Sequence, residues 1–421
     1  MSSPHWVKAA GNPAAERWLT RPGCRTVLVV VPHMTAGTRL ADVVPLVETD
    51  SRIQVLYCVP TTTDAWPGVE DYVREGGGLL IPWHQVLRSR FDLALAASYS
   101  EIDKIPAPVM VVPHGVGGGR SRYSPWTAPR EDRQVQPRDV LVRDGRVVPA
   151  AVVVAHESDA ERLRRACPEV AERIVVAGDP CYDRIRASMP FRNVYRKALG
   201  LDRRHKLVLL SSTWSRYSLF GGDLEVWRRV LDELPADEYR VVAALHPNIW
   251  AVHGRRQVLA WLADHMAAGL AVVPPEEGWR AALVAADFVI GDHGSVTQYG
   301  AALGVPVLVN PASAQDVPDG SNAALLRRMQ PVVDTTGSID QQLRRLAARH
   351  GPDRYAVFTR RISSCPGESM AALQAAVYRL LGLSEPAGAP PVSPPVPIPT
   401  LLSGHSSPAW SSPPVRESRR A

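Results

Sequence analysis

The chain has 421 residues, 45% of them hydrophobic and 21% charged, with a formal charge of +6. This composition suits a globular protein of two domains and excludes collagen-like, disulfide-dense and wholly unstructured chains. The positive charge is nearly all arginine, scattered among acids, which argues against a nucleic-acid partner.

From the amino terminus, residues 1–22 read as a polar extension without the apolar core of a secretory signal. Short Val/Leu/Ile runs then predict strands at Thr26–Val31, Ile53–Val59, Gly78–Ile81, Leu93–Ala97, Val109–Val112, Val152–Ala155 and Ile174–Ala177. Residues 126–149 interrupt this rhythm, and Val142-Arg-Asp-Gly-Arg-Val147 signals an inserted β-hairpin. A second series follows at Leu207–Ser211, Arg240–Leu245, Ala271–Val273, Phe288–Ile290, Val305–Val309 and Pro331–Val333. Continuous apolar strands separated by amphipathic stretches indicate parallel sheets covered on both faces. The expectation is an α/β protein of two doubly wound, Rossmann-like domains, 23–185 and 186–383, facing each other across a cleft. Glu368–Leu383 predicts a closing helix, and the proline-rich stretch 384–421 an unstructured tail. The five cysteines form no CxxC pair and read as free thiols in a reducing cytoplasm. No apolar run approaches the ~20 residues of a membrane-spanning helix, so a cytoplasmic protein, free or peripheral to a membrane, is expected.

Ligands of such sheets bind beyond the carboxyl ends of strands. Histidines stand there repeatedly: His33, His114, His156 and His246. His114 precedes Gly115, which admits close approach of a ligand or backbone, and neutral imidazole takes up protons near pH 7. Asp292, His293, Gly294 and Ser295 lie between a strand and a helix start, where unsatisfied N–H groups attract phosphate. Thr213 and Arg216 follow another strand, and Gly178-Asp-Pro-Cys-Tyr-Asp183 marks the domain junction, so that His33, Asp183 and Arg216 are further candidates for the cleft. No metal-ligating cluster is legible, and no cofactor is expected.

His114-Gly115, Gly178-Asp-Pro-Cys-Tyr-Asp183, Leu209-Leu-Ser-Ser-Thr-Trp-Ser-Arg216, Leu245-His-Pro247 and Gly291-Asp-His-Gly-Ser295 occur in one order. The set resembles the CDP-glycerol glycerophosphotransferases, the teichoic-acid polymerases and primases of GT-B fold. Ala244 stands where that family has an arginine, and His293-Gly294 where it has Tyr-Ser. The resemblance implies His114 as the base that deprotonates an acceptor hydroxyl. His246 and Ser295 would hold the diphosphate of a nucleotide donor, with Thr213, Asp292, His293 and Gly294 beside it. It implies a metal-independent transfer of a polyol phosphate or sugar to a hydroxyl acceptor, lipid-linked or free, in cell-surface polymer synthesis. A sugar-nucleotide 2-epimerase or hydrolase of similar layout and a catalytically lapsed nucleotide-binding scaffold are the competing expectations.

Overall fold

A computed structural model describes residues 6–11, 19–61, 66–116, 137–222, 224–317, 320–351 and 355–402. In the first half, strands β1 (Arg25–Val30), β2 (Ile53–Cys58), β3 (Leu93–Ala96), β4 (Val109–Val111), β7 (Ala151–Val154) and β8 (Ile174–Val176) form one parallel sheet in the order β2-β1-β3-β4-β7-β8. Between β4 and β7, β5 (Val142–Arg143) and β6 (Arg146–Val147) pair antiparallel as the expected hairpin. Its turn is Asp144-Gly145, both with positive φ (49° and 73°). Residues 126–136 of the expected insertion lie outside the described residues. In the second half, β9 (Lys206–Ser212), β10 (Tyr239–Leu245), β11 (Leu270–Val272), β12 (Phe288–Gly291) and β13 (Val307–Val309) form a parallel sheet ordered β11-β10-β9-β12-β13. The expected runs at 78–81 and 331–333 survive only as single bridges, Tyr57 to Leu80 and Val309 to Val332.

Alternation within each strand divides the core. Val27 and Val29 face one side of the first sheet with Leu93, Leu95 and Met110, while Leu28 and Val30 face the other with Ala94 and Val111. In the second sheet Leu207 and Leu209 pack with Val289 and Val307, and Val208 and Leu210 with Ile290 and Leu308. Both faces are buried, as parallel strands with crossover helices require.

Two features depart from the boundaries expected from sequence. The closing helix, Ser369–Leu381, follows the second sheet in the chain but buries Met370, Leu373, Val377 and Tyr378 in the core of the first domain. Residues 384–402 form no helix or strand, yet they are tied down. Arg52 reaches the Ser384 carbonyl at 2.9 Å, and Ser188 Oγ accepts from Val396 N–H at 2.9 Å. Tyr195 Oη donates to the Val396 carbonyl at 2.8 Å, and Leu402 N–H to the carbonyl of Val272 at 2.8 Å. Prolines forbid a ladder here but leave carbonyls available, so the segment is strapped down by side chains. Residues 403–421 lie outside the described residues.

Candidate functional site

Each sheet has one point where the chain turns from winding one way to winding the other: between β1 and β3, and between β9 and β12. Loops leaving adjacent strands diverge there and open a crevice. The first switch point carries His33, Ala97 and, one strand over, His114; the second carries Ser212, Thr213 and Gly291–Ser295. The two crevices face each other. Val116 N–H donates to Ser295 Oγ at 3.2 Å, across the domains. A Cβ at Gly115 would stand 2.6 Å from that same oxygen, so glycine is what lets the His114 loop approach the helix start.

The strand-end histidines sort into two kinds by what Nδ1 does. His33 Nδ1 accepts from Ala36 N–H at 3.1 Å, His156 from Ser158 N–H at 3.0 Å and His246 from Asn248 N–H at 3.1 Å. Each thereby caps a helix, and its neutral ring carries the proton on Nε2. His114 is different. Its Nδ1 lies 2.7 Å from the carbonyl of Ala97, which only accepts, so Nδ1 is the protonated nitrogen and the lone pair of the neutral ring is on Nε2. The His33 and His114 rings meet edge to face with centroids 5.4 Å apart.

Asp292 is fully buried and spent on the protein itself. Its Oδ2 accepts from Thr213 N–H (2.8 Å), Thr213 Oγ1 (2.9 Å) and Leu219 N–H (3.1 Å), and its Oδ1 from Gly294 N–H (3.0 Å). It therefore positions Thr213 and Gly294 rather than presenting an oxygen to a ligand. Gly294 follows from the same packing, since a Cβ there would meet Thr213 Cγ2 at 2.7 Å. The helix it begins, Ser295–Ala302, has no side-chain cap, so its first N–H groups face the crevice. His293 is buried beside this turn, with its carbonyl accepting from Gln298 Nε2 at 2.9 Å.

Between the domains lies a cavity of about 110 Å³, lined by His114, Thr213, His246, Gly294, Ser295, Arg39 and Arg280 among others. This is smaller than the ~300 Å³ or more usual of ligand pockets. A larger hollow of about 570 Å³ flanks β2 at the outer edge of the first sheet. It is remote from both switch points, and position rather than size selects the interdomain cavity.

Two of the expected cleft residues are elsewhere. Asp183 is buried and accepts from Gly367 N–H (2.7 Å), Ser369 N–H (3.1 Å) and Ser369 Oγ (2.5 Å), so it fixes the start of the closing helix. Arg216 is exposed, with its guanidinium 4.7 Å from the Tyr217 ring centroid, and does not line the cavity. His33 reaches the site through His114. Among the described residues no group of three or more His, Cys, Asp or Glu side chains is placed to hold a metal ion.

Sequence reasoning missed the buried ionic seam along the cavity floor. Arg39, from the first domain, donates to Asp179 Oδ1 (3.3 Å) and Tyr299 Oη (3.2 Å), and Tyr299 Oη donates to Asp179 Oδ2 (2.7 Å). Asp42 accepts from Arg184 (2.6 Å) and Arg280 (2.7 and 2.8 Å), and Arg280 also pairs with Glu277. Burial disfavours the charge on Arg39, but Cys181, Tyr299 and Asp179 outweigh it and hold its pKa well above the usual arginine value. Burial pushes the Tyr299 hydroxyl well up. The Gly-Asp-Pro turn pointed to Asp179; nothing in the sequence pointed to its partners 140 and 120 residues away.

No protein-family model matches the chain, and no curated protein matches it in sequence. Solved structures do. The wall teichoic acid polymerase TagF aligns with a TM-score of 0.55 at 13% identity, over 85% of this chain and 89% of that one. A UDP-GlcNAc 2-epimerase from Neisseria meningitidis bound to UDP-GlcNAc aligns with a TM-score of 0.50 at 17% identity, over 85% of this chain and 100% of that one. At these identities the likeness establishes the architecture: the chain has a GT-B-like fold of two Rossmann-like domains, shared with enzymes.

Proposed function

We propose that the chain is a transferase that moves a polyol phosphate or a sugar from a nucleotide-diphosphate donor to a hydroxyl acceptor, without a metal ion. The observation that carries this reading is the opposed bonding of Nδ1 on the two walls of one cavity, beside a carbonyl in His114 and accepting from an N–H in His246, which implies opposite tautomers. His114 offers a lone pair at Nε2 and takes the proton of the acceptor hydroxyl. His246 offers an N–H at Nε2, and with the uncapped start of Ser295–Ala302 it supplies the hydrogen-bond donors and partial positive charge that stabilise a departing nucleotide. With a CDP-polyol, the acceptor oxygen bonds to the distal phosphorus and the bridging P–O bond breaks to release CMP. With a sugar donor the oxygen attacks the anomeric carbon and the nucleoside diphosphate leaves. In this reading Thr213 and Ser295, which line the cavity, contact the phosphates. The likeness to TagF, one of whose structures was soaked with CDPG at a TM-score of 0.52, supports the polyol-phosphate version.

Purified protein is offered CDP-glycerol, other CDP-alcohols and UDP- and GDP-sugars, and binding is read by thermal stabilisation. With acceptor present, CMP release identifies phosphopolyol transfer, and UDP or GDP release identifies sugar transfer. Turnover of a donor without acceptor points instead to an epimerase or hydrolase, and no binding by any nucleotide leaves the scaffold. Under this reading His114→Ala loses on the order of 10²–10⁴-fold in kcat with donor binding retained. His246→Ala weakens donor binding. If neither variant changes anything, the site assignment is wrong.

A further inference from the structure

The segment from Arg184 to Lys206, leading from the hinge into β9, holds eight Lys/Arg and one acid, Asp202. Its formal charge of +7 exceeds the +6 of the whole chain. Part of this charge is consumed inside. Arg184 pairs with Asp42, Arg192 and Arg196 pair with Asp287, and Lys206 lies over the Tyr239 ring. Arg186, Lys197 and Arg203 are exposed and have no carboxylate at ion-pair distance among the described residues. Arg204 is exposed as well, 3.8 Å from Asp202.

The same shoulder exposes large apolar side chains. The short 3-10 turn Met189–Phe191 and the helix Arg192–Ala198 leave Met189 38%, Phe191 43% and Val194 47% exposed. Val194 and Lys197 are one helical turn apart and share a face. The proline-rich strap crosses here, bonding Ser188 and Tyr195 through Val396, and its Ile398 is 63% exposed two residues on. Single apolar side chains protrude from other helices too, Val252, Trp261 and Val357 among them; what sets this shoulder apart is that its apolar tip shares one short segment with Arg186, Lys197, Arg203 and Arg204.

We infer that this shoulder docks on an anionic phospholipid bilayer, with Met189, Phe191 and Val194 entering the headgroup boundary and Arg186, Lys197, Arg203 and Arg204 meeting lipid phosphates. Charge complementarity selects an anionic partner, and the apolar tip selects a bilayer over a nucleic acid, whose phosphate backbone gives Phe191 nothing to enter. No helix among the described residues is long and apolar enough to cross a membrane, so attachment here is from the surface. The inference is independent of the donor chemistry, because the shoulder lies at the amino ends of β9 and β12, where Arg192 and Arg196 bond Asp287, and the cavity lies at their carboxyl ends.

The test is co-sedimentation of the full chain with vesicles of phosphatidylcholine alone or mixed with phosphatidylglycerol. Binding is expected to the mixed vesicles only, and to weaken with salt. Lys197→Glu/Arg203→Glu is expected to weaken it more than tenfold, since each lost basic residue near such a surface is worth roughly fivefold, or ~1 kcal/mol. Phe191→Ser is expected to weaken it roughly tenfold with little change in salt sensitivity, as loss of half-buried apolar area requires. Arg345→Glu/Arg349→Glu, exposed on the second domain away from the shoulder, is expected to bind like the parent. All variants are checked for unchanged melting and nucleotide binding. Absence of binding to the mixed vesicles, or equal binding by the shoulder variants, overturns the inference. So does conversion of a dimer to a monomer by Phe191→Ser, which would make the shoulder a self-association surface.

Discussion

Asp292→Ala separates a brace from a ligand-binding group. In the native protein the carboxylate accepts from three backbone N–H groups, those of Thr213, Leu219 and Gly294, and from the Thr213 hydroxyl. Asp292 is 0% exposed, so water does not replace the lost acceptor without rearrangement. A stranded buried N–H costs about 1–3 kcal/mol, and three of them, partly relieved by local collapse, give about 3–5 kcal/mol. For a domain of this size that lowers Tm by roughly 10 °C. Asp292→Asn keeps one acceptor oxygen for Thr213 and Leu219 but turns an NH₂ toward the Gly294 N–H, and should lose about half as much. Urea and thermal melts of the two variants, with nucleotide titrations on the folded fraction, measure both quantities. A variant that melts within about 1 kcal/mol of the parent yet no longer binds nucleotide would refute the brace and make Asp292 a donor contact.

Gly115→Leu forces a side chain into the space held by Ser295 Oγ, and small-angle scattering should show a larger radius of gyration with donor affinity changed. Arg280→Met leaves Asp42 buried against Arg184 alone and should cost about 3–5 kcal/mol; combining it with Asp42→Asn should recover a large part, as a double-mutant cycle by chemical denaturation would show. Asp50, bonded by Arg52 and Tyr378 Oη, is held well below the ordinary carboxylate pKa chiefly by the Arg52 side chain, against the effect of burial. A depressed folded pKa gives stability that is complete above the unfolded value near ~3.9 and is lost as pH falls toward the folded one. The stability gap between parent and Asp50→Asn should therefore hold from neutral pH down to about 4 and shrink in stronger acid. A gap of constant size across that range would contradict the assignment.

The sheets were legible because each strand is a short run of Val, Leu and Ile between polar breaks, a pattern set by burial on both faces alone. The helix start at Gly294–Ser295 was legible for the same local reason. What stayed hidden depends on distance along the chain. Asp292 and Asp183 both stand after promising turns, but whether a carboxylate faces the cleft or turns back on Thr213 or Ser369 depends on segments 79 and 186 residues away. The histidines illustrate the limit best. His33, His156 and His246 look like His114 in sequence, and only the bond from His114 Nδ1 to Ala97, on the neighbouring strand, sets it apart. The proline-rich stretch lacks helix and strand over 384–402 as its composition predicts, but its anchoring was not legible, because it depends on which distant side chains, Tyr195 and Arg184, reach its carbonyls.

The return of the closing helix to the first domain has a mechanical consequence. The chain passes between the domains at Ala177–Pro180, again near Ile362–Ser369 and a third time along the strap from Ser384 to Val396. The first two passages touch: Gly178 has φ +77°, and a Cβ there would stand 2.8 Å from Ser363 Oγ and 3.1 Å from the Cys365 carbonyl. Two tethers pressed side by side form a hinge line between the domains, with the strap as a third link beside them. A rotation about that line would open the 110 Å³ cavity most at the wall farthest from it, and would first have to break the Arg39–Tyr299 and Arg280–Asp42 bonds on the cavity floor.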